Sequence, residues 1–455
     1  MSQISVFDDG RGPLVRPAPA AFKSLICNRS KAMLHRIATR TLVPAAVLAS
    51  AGLAQAATTS TDEVRAIVAE MLADADTRSS FLQSGGNAGH DGKHFFLSDA
   101  SDSFHLEIDG HIQFRYLATF VDDDPVVNPD DFESGFTTNR TALGFSGHVF
   151  DKEFVYRVSG EFMNSGGGFN LEDAYVGHVF DNGLLLVWGQ LRMPVLWEDV
   201  MNDKYAQAVD MSVVNAVFRQ DRSQGIWVHY SADDWRGWFG FSDGIRSEDT
   251  DLFGDGSDWA LTLRGEFKFA GDWSQFDDFT SPPGSNWGVK LGLATHWQDG
   301  PENSAIFPDT TLGAYTADLM LEGDGWNFFV AGVGLHTDPD GGDSFNDWGV
   351  VAQGGVYIPD TDWEVFARYD AVIPDSDRVG DDTFNTLTAG VNYYMHGHAA
   401  KFTADIQWFF DDTVGNDLVS SVATGAGGSY GNRIGLLPTA EEDEIAIRLQ
   451  FQLLF

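Results

Sequence analysis

Cysteine is almost absent from this sequence, with one residue, Cys27, among 455. That excludes a disulfide scaffold and cysteine-ligated metal. Long apolar runs are missing too: no window offers eighteen uninterrupted apolar residues, so helical membrane spans are excluded. Basic residues are scarce, 28 Lys and Arg against 67 Asp and Glu, for a formal charge of −39. Nucleic acid does not fit as a partner for that balance. Acidity on this scale often accompanies disorder, but aromatics make up 13% of the chain, so the charge belongs on a folded surface. Catalytic signatures are lacking as well, with no Gly-x-Ser-x-Gly, His-Glu-x-x-His or P-loop. We expect no enzyme, no cofactor and no metal. His396 and His398 read as a solvated turn, and Asp338, Asp340 and Asp343 resemble a calcium loop only loosely, with glycine at the wrong offset.

The one long apolar run, Leu42 to Leu53, follows Arg36 and Arg40 and precedes Ala54-Gln55-Ala56. This order predicts a signal peptide over 1–56, with Met33 as an alternative start, and export through the general secretory pathway. Cleavage would remove Cys27. Residues 57–100 then read as a periplasmic helix and linker. Ser60 with Glu63 fits a capping box, Val64, Ile67, Val68, Met71, Leu72 and Ala75 form an apolar stripe, and Gly85, Gly86, Gly89 and Gly92 make the linker flexible. The stripe is too short to be stable alone and suits self-association.

From 101 to 455 the chain alternates. In the last stretch Ile445, Ile447, Leu449, Phe451, Leu453 and Phe455 share one face, while Ala446, Arg448, Gln450 and Gln452 share the other. A period of two makes a strand with an apolar and a wet face. Such a strand can close a transmembrane antiparallel β-barrel, apolar toward lipid and polar toward a lumen. Phe455 resembles the terminal aromatic signal read by the outer-membrane barrel assembly machinery. Similar segments begin near 104 and recur at 136–149, 153–163, 170–180, 184–192, 224–231, 235–242, 258–269, 286–297, 312–321, 326–337, 347–358, 361–370, 383–395, 400–411 and 443–455. They predict about sixteen strands, an even number as bacterial barrels require. Connections after even-numbered strands are mostly tight, as at Asp151-Lys152 and Asp233-Asp234, whereas those after odd-numbered strands are long and acidic. Residues 270–285 are too long for a simple inner turn. Trp287 and Trp297 bracket one strand at a spacing of ~25 Å along the membrane normal, as two aromatic girdles would.

Leu171-Glu172-Asp173-Ala174-Tyr175-Val176, Gly189-Gln190-Leu191-Arg192-Met193-Pro194, Val214-Asn215-Ala216 and Asp221-Arg222-Ser223-Gln224-Gly225 resemble the signature of the phosphate-selective porin O/P family. Leu143-Gly144-Phe145-Ser146-Gly147, Tyr156-Arg157 and Glu161-Phe162 are similar to its early hairpin. The resemblance is good through about 140–230 and diffuse beyond. It implies a sixteen-stranded trimeric porin with an inward-folded constriction loop, and selection of phosphate through arginines and a lysine cluster.

Strand parity places Arg115, Arg140, Arg157, Glu161, Arg192, Arg264, Glu266, Lys290, Arg368, Asp405 and Arg448 toward the lumen as pore-lining candidates. The loop 193–223 is the candidate constriction, carrying Glu198, Asp199, Asp203, Lys204, Asp210, Arg219, Asp221 and Arg222. This set departs from the family's lysine-rich site. The expected function is therefore passive diffusion of small ions and solutes through a water-filled pore in outer-membrane lipid, by a homotrimer with mild cation preference. The alternatives are an anion- or phosphate-selective porin and a secreted acidic β-protein that binds carbohydrate through its tryptophans.

Overall fold

In the computed structural model the described residues are 86–121, 132–138, 140–162, 167–250, 256–300, 309–424, 433–440 and 444–455. The expected leader, the 60–83 helix and the aspartate runs at 122–124 and 130–131 lie outside them.

Alternation decides the architecture. In strand β3 (His105–Phe120), Ile112, Phe114 and Phe120 are exposed while His111, Gln113 and Arg115 are buried. An outside that is apolar and uncovered, around an inside that is polar and covered, inverts a soluble protein and suits lipid. Two pieces, β4 (Phe132–Thr137) and β5 (Thr141–His148), both pair with β3 and together form the second barrel strand. They are joined through Arg140, whose φ of 57° puts a non-glycine residue in the left-handed region. The barrel continues through β6 (Phe154–Phe162), β7 (Phe169–Val179), β8 (Leu185–Arg192), β9 (Arg222–Ser231), β10 (Trp235–Ser242), β11 (Trp259–Ala270), β12 (Gly288–Asp299), β13 (Thr310–Gly323), β14 (Trp326–Pro339), β15 (Phe345–Tyr357), β16 (Trp363–Ile373), β17 (Phe384–Tyr394), β18 (Ala400–Phe409) and β19 (Glu444–Leu454). Each is antiparallel to the next, and β19 returns to β3 from Ile445↔Phe120 to Leu454↔His111. The result is a closed barrel of sixteen strands with no open edge between its ends.

Aromatic rings ring the outside. Trp287 and Trp297 are 53% and 44% exposed. Trp287 adjoins Trp326 at 5.8 Å, and Tyr315 adjoins Trp348 at 5.4 Å toward the opposite strand ends. Two glycines are obligatory for close strand approach. A Cβ on Gly189 (φ 132°) would collide with the Ala174 carbonyl oxygen, and one on Gly147 (φ 151°) with that of His105.

Two segments depart from expectation. Residues 86–99, expected as linker, form a hairpin of β1 (Gly86–His90) and β2 (Phe95–Asp99). β2 pairs with β3 from Phe95↔Ile108 to Ser98↔His105. It takes the edge of β3 where β19 runs out, since Phe455 exchanges backbone hydrogen bonds of 2.8 and 3.0 Å with Gly110. Glycine content alone suggested flexibility, but an unpaired stretch of β3 was available to recruit the strand. The overlong turn at 271–287 folds inward through a 3-10 helix, Trp273–Asp277, capped by Asp272 and Gln275. Phe276 and Phe279 from it are fully buried, and Phe279 packs on Phe329 at 4.9 Å.

Candidate functional site

The loop between β8 and β9 lies inside the barrel. It carries helices α1 (Trp197–Val200) and α2 (Val213–Phe218), and Met193, Val195, Leu196, Val213 and Val214 are at most 1% exposed. Its apolar residues enter three clusters: Met193 and Val195 join Val187, Trp227, Ile245, Leu312 and Ala314, and two more are built from the others. One joins Val213, Val214 and Phe218 to Val333, Val372, Phe409 and the last loop's Val419, Ile434 and Leu436. The other joins Trp197, Met201 and Met211 to Phe276, Phe279, Phe329 and Val351. A third helix, α3 (Asp417–Thr424), thus caps the loop from one side while the 271–287 turn meets it from the other.

A loop in a barrel leaves backbone carbonyls to satisfy, and the wall supplies the donors. Arg115 donates to the carbonyl of Val209 at 2.8 Å, Arg264 to Val195 at 3.0 Å, Arg368 to Asp210 at 2.8 Å and Lys401 to Ala206 at 2.6 Å. Wall carboxylates accept from loop amides, Asp405 from Val209 at 2.8 Å and Asp370 from Val213 at 3.0 Å. Arg448 holds Asp405 and also donates to the carbonyl of Ile434 in the last loop at 3.0 Å. Lys290 pairs with Glu266 at 3.3 Å and lies 3.1 Å from the centre of the Trp197 ring, with Arg264 at 5.0 Å from the same ring. Arg115, Arg264, Glu266, Lys290, Arg368, Asp405 and Arg448 therefore point inward as parity predicts, yet they are 0–3% exposed. They are covered rather than lining an open bore: Arg115, Arg264, Lys290, Arg368 and Asp405 hold the loop, Arg448 holds Asp405 and the last loop, and Glu266 is held by Arg264 and Lys290. Parity gives a side chain's direction but not what packs on top of it.

A charged opening lies among β6 to β9 and the loops beside them. Arg140, Glu161, Arg192, Asp199, Asp203, Arg219, Asp221 and Arg222 border a cavity of about 230 Å³ together with Glu172, Glu248, Asp249 and Arg433. Charges alternate around it. Arg140 pairs with Asp203 and, at 2.7 Å, with Asp210. Arg192 pairs with Asp199 at 3.1 Å, Arg219 with Asp221 at 2.8 Å, and Arg222 with Glu172 at 3.3 Å. Arg222 continues to Asp173 at 3.0 Å, and Asp173 to Arg157 at 3.3 Å. Arg157 ends the row on Asp109 at 3.0 Å, with Lys204 4.0 Å from the same carboxylate.

Burial would raise the carboxyl of loop residue Asp210, but the Arg140 and Arg115 guanidiniums outweigh it and hold it well below the usual carboxylate range. Burial dominates at Glu248, assisted by the Asp221 charge, and pushes its carboxyl up. Glu198 is not at the opening: buried under the loop, it accepts from the Ser212 amide and hydroxyl at 2.7 and 2.5 Å.

Of the sequence candidates, then, four wall residues (Arg140, Arg157, Glu161, Arg192) and six loop residues (Asp199, Asp203, Lys204, Arg219, Asp221, Arg222) lie on or beside the opening. Glu172 and Asp173 were missed although they stand in the Leu171–Val176 motif. Glu248, Asp249 and Arg433 come from other loops, and no local pattern marks them.

No family model matches this chain, and no curated protein matches it. Among solved structures it is similar to the anion-selective porin from Comamonas acidovorans, at 13% identity and a TM-score of 0.53, over 77% of this chain and 99% of that one. It is also similar to the outer-membrane expressed OmpT of Vibrio cholerae, at 11% identity and a TM-score of 0.52, over 77% and 98%. At these identities the likeness is one of fold, and the fold is that of a porin barrel.

Proposed function

We propose that this chain is an outer-membrane porin through which small hydrophilic ions and solutes diffuse passively. One observation carries the reading: beside the infolded loop there is an opening bordered by charged groups of both signs, inside a barrel whose outer face is apolar. Facing charges set up a transverse field, which orients dipolar solutes and screens ions. Closure speaks against the carbohydrate-binding reading, and the outward-facing Trp287, Trp297, Trp326, Trp348, Trp363 and Trp408 suit an interfacial girdle instead.

The ion preference we propose is weakly cationic. Five arginines border the opening (Arg140, Arg192, Arg219, Arg222, Arg433) against seven carboxylates (Glu161, Glu172, Asp199, Asp203, Asp221, Glu248, Asp249). The acidic outer loops add a field that decays over about 8–10 Å at physiological salt and ~3 Å at 1 M. Reversal potentials across a KCl gradient, measured near 0.1 M and near 1 M, should show cation preference that fades as salt rises. Anion preference at both would support the phosphate-selective resemblance instead, with the five arginines outweighing their partners.

A homotrimer is the assembly we infer. Strands β8 and β10 have eight residues each, against 14 in β13 and β14. Eight residues at ~3.3 Å and a tilt of about 40° rise only ~20 Å, short of the ~25 Å apolar band. That wall nevertheless presents Phe145, Phe154, Val158 and Trp188 outward. Apolar surface too short for lipid is suited to cover by copies of the same chain.

A further inference from the structure

The N-terminal hairpin carries side chains that the channel does not use. Its turn, Asp91 to His94, closes with the Asp91 amide donating to the His94 carbonyl at 3.2 Å. Asp91 Oδ1 accepts from the Lys93 and His94 amides at 2.7 Å each. Gly92, at φ 102°, allows the tight reversal. With Oδ1 occupied, Oδ2 faces His94 Nδ1 at 4.0 Å. The pairing of β2 with β3 then brings Glu107 to the same ring, Oε2 lying 3.8 Å from Nδ1. One donor atom from each of the three lies within 4.8 Å of the others.

His105 stands behind Glu107. Its Nε2 is 3.4 Å from Glu107 Oε1, and its ring is stacked between Phe96 and His148 at 5.6 and 5.4 Å. Its Nδ1 makes no hydrogen bond but faces Asp102 Oδ1 at 3.7 Å. From there the ring orients the Glu107 carboxylate, while the three mutually close donors remain Asp91, His94 and Glu107. The spacings of 3.8 and 4.0 Å around His94 Nδ1 are too long for hydrogen bonds. They are close to the spacing of two ligands on one tetrahedral ion: bonds of about 2.0–2.1 Å place ligand atoms ~3.3 Å apart.

We propose that Asp91, His94 and Glu107 bind one divalent transition-metal ion of the zinc class. Two carboxylates neutralise the dication and one neutral imidazole joins them, with solvent at the fourth position, a nitrogen and oxygen mixture that favours zinc over calcium or magnesium. The ion ties the hairpin turn to the barrel wall.

The test uses the full chain, without a histidine tag, folded in detergent and titrated with Zn²⁺ by calorimetry and with Co²⁺ by visible absorption. One saturable site per chain is expected, with the d–d bands of tetrahedral Co²⁺. His94→Gln and Glu107→Gln should each weaken binding by about 10-fold or more. His336→Gln, on β14 and hydrogen-bonded to Asn346, should leave it unchanged. Excess Ca²⁺ should not displace the ion. Zn²⁺ should also slow proteolysis within 86–99 in the parent chain but not in His94→Gln. No stoichiometric binding by the parent, equal affinity in all the variants, or displacement by Ca²⁺ would overturn the assignment.

Discussion

Replacing Asp210 by asparagine tests whether charge pairing holds the loop inside the barrel. Its carboxylate accepts from Arg115 at 2.9 Å and Arg140 at 2.7 Å and is wholly buried. Removing one member of a buried ion pair costs about 3–5 kcal/mol. The lower end applies here, because Arg115 keeps Gln450 and the Val209 and Arg433 carbonyls, and Arg140 keeps Asp203. Against that loss stand the donors Arg264, Arg368 and Lys401, each bound to a loop carbonyl at about 1.5–3 kcal/mol. The loop should therefore stay in the barrel while its 203–211 portion loosens. Single-channel recording of Asp210→Asn should show larger open-channel noise and a modest gain in conductance, with barrel melting little changed. The double variant Asp210→Asn with Arg368→Met should open further. The pH dependence rests on the same pair. A depressed carboxyl contributes stability that is present above its unfolded value of about 3.9 and lost only as pH falls through the lower folded value. The parent channel should thus be equally quiet at pH 7 and pH 4. An Asp210→Asn channel indistinguishable from the parent, or parental noise already rising at pH 4, would refute the clamp.

Three further outcomes are expected. Deleting Phe455 removes the backbone pair with Gly110 and should cut the amount of heat-resistant barrel in the outer membrane without altering conductance in the molecules that assemble; normal abundance would count against a terminal signal. Gly147→Ala forces a Cβ onto the His105 carbonyl in a left-handed conformation and should destabilise the barrel by roughly 1–3 kcal/mol, read as a lower unfolding midpoint. Mass measurement in mild detergent should give three chains per particle, and a particle of one chain would remove the argument from short strands.

Strand positions were legible because each strand here has two solvents, lipid outside and polar groups inside, so a period of two is written over the whole barrel. β13 is an instance: residues 312–321 were marked by alternation and the strand runs from Thr310 to Gly323. The interior was less legible because it is filled by segments without a period. Val195, Trp197 and Phe276 read as loop residues, and only the folded barrel shows that they supply apolar cores. The hairpin at 86–99 was hidden for a related reason, since its pairing depends on how far β19 extends along β3, which no local window contains.

Ion selection divides the inward cations into two groups. Arg115, Arg264, Arg368 and Arg448 share a face with Arg140 and Arg157, and in the sequence the six look equivalent. In the fold the first four bind loop carbonyls or buried carboxylates and have at most 2% of their surface exposed. Arg140, Arg192, Arg219, Arg222 and Arg433 are also ion-paired, but they border the cavity, where a passing ion comes close enough to meet each member of a pair separately. The four buried residues therefore shape the opening by fixing the loop and contribute little to which ion passes. We propose that selection rests with Arg140, Arg192, Arg219, Arg222 and Arg433 and the carboxylates facing them, which come from strands β6 to β9 and four separate connecting segments. Changing Arg219 should shift the reversal potential. Changing Arg264 should alter conductance or stability first, and the potential only through movement of the loop.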